Sequence, residues 1–393
     1  VNESSGKVTI LGGGIGGLTL ANALLREGID FDLYEQAPEL GEVGAGIGLS
    51  RGALELLDML GPGEEVRARG RAIRTLYLAD RNLRIRRRFP PSYQGFCIHR
   101  AELIEILSRP LPRDRIHLSK RVSEVRPEPD GTTIRFSDGS AIDSDCTVAA
   151  DGINSVARRM AFPGIGIRWI GQTIWRGISR APVPEFLADA YLEIWDDGLR
   201  FLAVPIREGE TFWLAVRRAP PGGRDDPARV REELLALFGG FHPALREMIR
   251  RSENFLRDDM GDLGPPGSRP WHRHRLAFLG DAIHATTPNL AQGGCQAIED
   301  AVCLARCLRA HGSELETAFS RYRALRQRKV EFVVNTSWRF GVAAHSRNPL
   351  LHHGFRLVLE RSPAWLLERQ ERFLSDVGYL RDFPRTAPPP PAR

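Results

Sequence analysis

A four-residue apolar run, Val8–Leu11, gives way to a cluster of glycines. Leu18, Ala21 and Leu25 then recur on one helical face. Phe31–Tyr34 is a second strand, so the opening of the chain predicts a β-α-β unit. A helix over 53–60 should stop at Gly61-Pro62. Strands are predicted at 74–78 and 84–89 and a helix at 100–107; from 115 to 150 short strands alternate with turns at Asp130-Gly131 and Asp138-Gly139. Beyond about Phe162 the pattern changes. Strands rich in aromatic and β-branched residues are predicted at 169–178, 191–195, 200–206 and 211–218, followed by amphipathic helices at 228–238 and 244–250. A Gly/Pro loop at 264–268 precedes a buried strand at 276–279, and helices dominate from Leu290 onward. No internal repeat is present. The simplest architecture is α/β: a dinucleotide-binding domain interrupted by a β-rich insertion, with a helical C-terminal cap and a disordered proline tail.

Composition narrows the class. With 393 residues, 42% hydrophobic and 26% charged, the chain reads as a soluble globular enzyme able to enclose a cofactor. The formal net charge of +6 comes almost wholly from arginine, since Lys7, Lys120 and Lys329 are the only lysines. The arginines are interleaved with carboxylates, as at 246–257 and 321–328, which describes solvated helix faces and not a nucleic-acid-binding arm. Cys97, Cys146, Cys295, Cys303 and Cys307 form no CxxC pair, which suits reduced thiols in the cytoplasm. Cys303, Cys307 and His311 would share a helical stripe. Without a second ligand pair, thiols packing a helix is the reading adopted, and no metal is expected. Residues 1–7 are polar and lack the apolar core of a signal peptide, and no apolar run is long enough for a membrane span.

The chemistry begins at Gly12-Gly13-Gly14-Ile15-Gly16-Gly17, between the first strand and the first helix. Gly12 permits the tight turn, Gly14 lets the backbone approach a pyrophosphate, and Gly17 allows close helix–strand packing. Gly16 completes the run, and the free amides of the helix start face the phosphates. Glu35, closing the second strand, can accept hydrogen bonds from both hydroxyls of an adenosine ribose. A carboxylate there repels a 2′-phosphate, so the bound nucleotide is FAD or NAD. This unit alone leaves those two open. Two further segments carry the distinction: AADGINSVAR at 149–158, after a strand and opening a helix, and LAFLGDAIH at 276–284, followed by Pro288 and QGGCQAIEDA at 292–301.

In this order the three segments resemble the single-component flavoprotein aromatic hydroxylases, the family of para-hydroxybenzoate and salicylate hydroxylases, over roughly residues 7–345. TTPNLAQGGCQAIEDA is similar to the branch holding bacterial urate hydroxylases and zeaxanthin epoxidase. The resemblance implies a para-hydroxybenzoate hydroxylase-like fold, with a Rossmann-type FAD domain formed by 1–72, 97–165 and 270–345. A β-rich substrate domain would comprise 73–96 and 166–269, a helical cap 346–383 and a disordered tail 384–393. It also implies that Asp281 bonds the FAD ribityl chain, that Gly293 and Gly294 present amides to the flavin ring, and that Pro288 lines the site beside the oxygen-binding carbon. Asp151-Gly152 matches the family's DG motif, associated with FAD and NAD(P)H. Arg100 matches an FAD-contacting arginine or is a surface helix residue, and Gly46, Gly48 and Val122 match backbone contacts to the cofactor. His284 packs beneath the cofactor or serves as a base. The chain departs from the pattern at Ala291, where many relatives have glycine, and at Ser50-Arg51-Gly52, where Pro-Asn is more usual.

No second GxGxxG unit exists; 261–267 contains Pro265 and Pro266, which would abort the required helix. NADH or NADPH would therefore visit transiently, and the lack of a CxxxxC pair argues against a disulfide reductase. Candidate pocket residues are Trp175, Arg176, Arg200, Phe212 and Trp213. Arg200 matches an arginine that holds substrate in urate hydroxylases, or is an exposed strand residue. Phe212 stands where those enzymes carry tyrosine. Trp175 and Trp213 are core residues or substrate platforms. The resemblance implies that NAD(P)H reduces FAD and that O2 forms a flavin C4a-hydroperoxide. An oxygen atom would then pass to a small electron-rich aromatic, with Arg200 or Arg176 aiding an anionic substrate while water is excluded. A rival activity is an FAD-dependent epoxidase or other monooxygenase acting on an isoprenoid or polyketide, with 355–359 and 365–367 touching a membrane instead of forming the cap. A rival of another class is a flavin-binding sensor without turnover, which steady NAD(P)H consumption would exclude. The protein is expected to be a monomer or homodimer.

Overall fold

Val8–Leu11 is buried at every position, as a central strand covered on both faces requires. In the computed structural model it pairs in parallel with Phe31–Tyr34 on one side and Cys146–Ala149 on the other. Ile116–His117 extends this sheet beyond Phe31–Tyr34, and Leu276–Phe278 with His272–Arg273 extends it beyond Cys146–Ala149 to six strands. The helices Ile15–Glu27 and Gly293–His311 pack against each other beside the sheet. The structure describes residues 7–41, 45–89, 95–196, 198–312, 314–346 and 348–383; the start at 1–6 and the proline tail at 384–393 lie outside the described residues. A three-stranded antiparallel layer of Val122–Glu128, Gly131–Phe136 and Ala141–Ser144 carries the two expected Asp-Gly turns.

The second large sheet has seven strands, in the order Leu256–Asp262, Arg168–Ser179, Glu210–Arg218, Leu199–Arg207, Ala190–Asp196, Thr75–Ala79 and Ile85–Arg88. Strand alternation gives it two faces. The back carries Trp175, Phe201, Trp213 and Ala215 against Leu234, Phe238, Leu245 and Met248 of the helices Val230–Leu237 and Pro243–Arg250. The front carries Ile174, Leu202, Val204, Phe212 and Leu214, and packs with Ala45 and Cys97 from the cofactor half. Trp175 and Trp213 thus belong to the rear core and are not substrate platforms. Each indole N–H is satisfied there, Trp213 by Ser252 Oγ at 2.7 Å and Trp175 by Asp225 Oδ2 at 2.7 Å.

Several elements were absent from the sequence reading. Leu256–Asp262 is an acid-rich strand whose charges are met across the sheet: Asp262 accepts two bonds from Arg168, at 2.9 and 2.8 Å, and Asp258 pairs with Arg176. Gly46–Leu49 pairs with Gly95–His99, which also pairs with Arg71–Ile73, in a small antiparallel sheet. The helix expected at 53–60 starts two residues earlier, because Ser50 Oγ accepts from Ala53 N at 3.2 Å and caps Arg51–Leu60. A methyl group on Gly52 would lie 2.5 Å from Ser375 O, so the departure at 50–52 makes room for the last turn of a C-terminal helix. Cys303 and Cys307 are both fully buried and pack the core of their helix. The chain ends in the helices Leu315–Ala344, Pro349–Arg361 and Ala364–Ser375; among the described residues no helix is long and apolar enough to cross a membrane.

Candidate functional site

The three motif loops meet at the C-terminal ends of the parallel strands. Gly12 adopts φ 110°, and a Cβ there would lie 2.5 Å from Ala150 O and 3.1 Å from Asp151 Cα. A Cβ on Gly17 would lie 1.9 Å from Gly12 O, so this glycine is required by packing alone. Gly14 differs: a Cβ there would meet nothing within 4 Å. Its backbone faces open space at the helix start, where an approaching pyrophosphate would sit. Glu35 lies beneath the same loop, accepting from Gly13 N at 2.6 Å and Ala37 N at 2.8 Å. The segment leading to Val122 runs alongside, with Lys120 N donating to Glu35 O at 2.8 Å.

Asp151 accepts from the amides of Val156 (2.9 Å) and Ala157 (3.3 Å), while its other oxygen is buried without a protein partner among the described residues. Burial pushes this carboxyl up, against the pull of Ser155 and those amides. Arg158, itself buried, fastens the second motif to the third through Ala282 O at 3.0 Å and Ile153 O at 2.6 Å. Asp281 is reached by solvent yet hemmed in by protein, which places it on a cleft wall. Burial raises its pKa, while His284, Arg100 and Arg158 pull it down. Arg100, half-buried at its helix start with its N–H bonded to Ala45 O at 2.9 Å, is therefore close enough to act on Asp281 and is not a mere surface residue.

Beneath Asp281 lies a network centred on Asp300. Asp300 Oδ2 accepts from Gly280 N (2.9 Å) and contacts His284 Nε2 (2.6 Å), and Oδ1 accepts from Arg326 Nε (2.7 Å). Burial opposes ionisation of Asp300, but His284 and Arg326 hold it well below the usual carboxylate range. His284 is buried, in contact with Asp300 and tilted against Trp271 at 4.9 Å, which supports packing beneath the loop over service as a base.

Pro288 opens the short turn Pro288–Leu290 and is exposed to the cleft. Ala291 follows with φ 52°, a left-handed conformation that favours glycine, so this departure is a strained site. The helix Gly293–His311 starts without a side-chain cap, leaving first-turn amides for a ligand. A Cβ on Gly293 would sit 3.9 Å from Asp281 Oδ1, and one on Gly294 would lie 2.7 Å from Ile47 Cδ1. Gly48 approaches Ala291, and Gly46 is pressed against the Phe212 ring, where a Cβ would come within 2.6 Å. These proximities bring Gly12, Asp151, Asp281, Gly46, Gly48, Gly293 and Gly294 to one end of the six-stranded sheet, where backbone amides and carboxyls offer a donor and acceptor set suited to a dinucleotide.

The front of the seven-stranded sheet faces this cleft. Arg200 is 2% exposed, which excludes the exposed-strand reading, and both its Nε and Nη2 bond Glu193, the latter at 3.2 Å. Its Nη1 donates to Asn289 Oδ1 at 2.9 Å, and its guanidinium stacks 4.7 Å from the Trp195 ring centroid. Asn289 is anchored in turn to Thr287 Oγ1 and Ser337 O, each at 3.1 Å. Arg176 lies on the same front face, paired with Asp258. Phe212 and Leu214 complete an apolar wall, with half-buried Tyr191 beside Glu193. Neither arginine therefore offers an unneutralised charge. Glu193 and Asn289 are functional candidates that the sequence reading missed; Glu193's position two residues from Trp195 on an alternating strand was the available signal. A surface hollow between Pro182 and the helix Pro243–Arg250 lies behind the sheet and takes no part.

Comparison with known proteins agrees with this geometry. A family model described as FAD binding domain matches residues 5–337. The chain is 39% identical to an aurachin C monooxygenase/isomerase of Stigmatella aurantiaca, covering 85% of this chain and 88% of the relative. It is 31% identical to a 2-heptyl-3-hydroxy-4(1H)-quinolone synthase of Pseudomonas aeruginosa, over 87% and 90%. Its fold matches that of Klebsiella pneumoniae HpxO complexed with FAD and uric acid, with a TM-score of 0.84 and 28% identity over 94% of this chain and 97% of that one.

Proposed function

The chain belongs to the FAD binding domain family and is an FAD-dependent monooxygenase, and on that premise we propose that it hydroxylates a small, electron-rich, neutral heteroaromatic substrate, with NADH or NADPH as electron donor and O2 as oxygen source. Bound FAD supplies the redox and oxygen-activating chemistry. Gly14 and the glycine-loop amides would hold its pyrophosphate, Glu35 its adenosine ribose, and Asp281 its ribityl hydroxyls. Gly46, Gly48 and Val122 would pass their backbone along it, with Arg100 and Asp151 alongside. The uncapped amides of Gly293 and Gly294 would stabilise negative charge on the ring system. Pro288, Phe212 and Leu214 would exclude water from the reacting face.

The observation that carries the substrate reading is the closed Glu193–Arg200 pair. An anionic substrate needs a cation with spare bonding capacity, and Arg200 and Arg176 are both engaged by carboxylates. A neutral ring such as a quinolone, the class named in the Pseudomonas relative, meets an apolar wall without displacing either carboxylate. Arg200 then acts as a positioning residue, holding Asn289 and the Pro288 turn against the sheet. No second glycine-rich nucleotide loop is evident in the sequence, which supports transient docking of the nicotinamide donor. The test is stopped-flow flavin reduction by NADH and NADPH against urate, hydroxybenzoates, phenols and alkylquinolones. Acceleration by quinolones with oxygenated product is expected; acceleration by urate or benzoates alone would overturn the neutral-substrate reading.

A further inference from the structure

The cap helices Pro349–Arg361 and Ala364–Ser375 are apolar on two sides. Phe355, Leu359 and Leu367 point inward and pack with Leu78, Phe89 and Trp195. Leu350 (83% exposed), Leu351 (61%), Val358 (62%), Trp365 (60%) and Leu366 (45%) point outward. Among the described residues, these five are nearly half of all large hydrophobic side chains left exposed, and they fall within one short stretch of chain. A cluster of this kind along two consecutive helices marks an interaction surface, whereas scattered single residues do not.

Charge selects the partner. Arg361, Arg369 and Arg372 on these helices are exposed, as is Arg356, which pairs with Glu360 one turn on, whereas Glu360, Glu368 and Glu371 are half-buried. Arg87 donates to Leu359 O at 2.6 Å and also to Ser362 O, fastening the helix pair to the edge strand Ile85–Arg88. An apolar crest rimmed by arginine complements an anionic bilayer surface. Two-fold pairing of this patch with its own copy would bring like charges together.

The inward side adds a functional link. The Phe355 ring lies 5.9 Å from Trp195, which stacks on Arg200, which bonds Asn289 in the Pro288 turn. The cap thus packs, through Trp195, on the sheet face that carries Arg200. We propose that these helices dock the enzyme on an anionic lipid surface and admit a membrane-dissolved apolar substrate from that side. Docking stands on the exposed face alone; substrate entry rests on the neutral-heteroaromatic reading above.

The experiment is co-sedimentation of the FAD-loaded enzyme with vesicles of phosphatidylcholine, alone or mixed with phosphatidylglycerol. Binding to the mixed vesicles should be roughly ten-fold tighter and weaken with salt. Trp365→Ser with Leu366→Ser should lower it by a further factor of about ten or more, with flavin absorbance and thermal unfolding unchanged. Arg369→Glu should weaken only the anionic-lipid component. Failure to sediment with either vesicle, or sedimentation indifferent to both sets of variants, would overturn the proposal. So would a wild-type dimer that the Trp365/Leu366 variant dissociates, because the face would then be a subunit interface. Turnover of a quinolone without vesicle binding would sink docking and leave the function standing; vesicle binding without turnover of any ring substrate would do the reverse.

Discussion

Around the glycine loops, polar groups keep bonding capacity in reserve: among the described residues one oxygen of Asp151 lacks a protein partner and the first amides of Gly293–His311 have no side-chain cap, and Asp281 is open to solvent. Across the substrate sheet the charges close on one another, Arg200 on Glu193 and Arg176 on Asp258. A cleft that receives a charged dinucleotide must hold donors and acceptors ready for it. A chamber that receives an apolar ring must neutralise its own buried charges, since each would otherwise be desolvated without compensation. On the proposed function, one molecule meets both demands with the same residue types, by which of them are left open.

The contrast can be broken most severely at Glu193. Glu193→Gln leaves the Arg200 guanidinium buried without its counter-charge, and should cost about 3–5 kcal/mol in the urea unfolding of the FAD-loaded enzyme. Replacing both partners, Glu193→Leu with Arg200→Met, should recover most of that loss. If the single change is silent, the pair is not the closed unit described. Next in size is Arg200→Ala, which should leave the protein yellow but divert NAD(P)H oxidation toward hydrogen peroxide, by an expected factor of about ten in the ratio of peroxide to product, equivalent to roughly 1.4 kcal/mol. Unchanged coupling would remove its positioning role.

Two smaller tests sharpen the open side. Gly14→Ala meets no described atom within 4 Å, so folding should be preserved while FAD affinity falls by about 1–3 kcal/mol through a displaced pyrophosphate contact. Titration of the apoprotein with FAD measures this, and undiminished affinity would move the phosphate elsewhere. Asp281→Asn should weaken FAD binding yet flatten the pH dependence of apoprotein stability. Because burial raises the Asp281 pKa, the folded apoprotein holds that proton to higher pH than the unfolded chain. Its contribution is complete below the ordinary carboxylate range and is lost as pH rises through the raised value. Thermal melts of both proteins from acid to neutral pH should diverge in that window, with the Asn variant the more stable above it. Asp300 has the opposite sign, its contribution vanishing as pH falls, so the two aspartates can be told apart.

Much of the cofactor half was legible because its signals are local. A glycine that must turn at φ 110° or admit a carbonyl at van der Waals distance announces itself in one short segment, and Glu35 follows from strand length. The substrate half was legible as strands but not as faces. Which of Trp175 and Arg176 looks toward the cofactor depends on packing against Ala45 and Cys97, far away in the chain. Leu256–Asp262 hid its strand character because its aspartates are neutralised by Arg168 and Arg176, supplied by another strand. Arg200 was singled out, but its meaning lay in Glu193 and in Asn289, which sits on the opposite half of the site.

Asp300 gathers Gly280, His284 and Arg326 onto one carboxylate before any ligand arrives. The turn bearing Asp281 is therefore set when the chain folds, and the entropy of ordering it is no longer charged against association. Less of a ligand's binding free energy is then spent on ordering that turn.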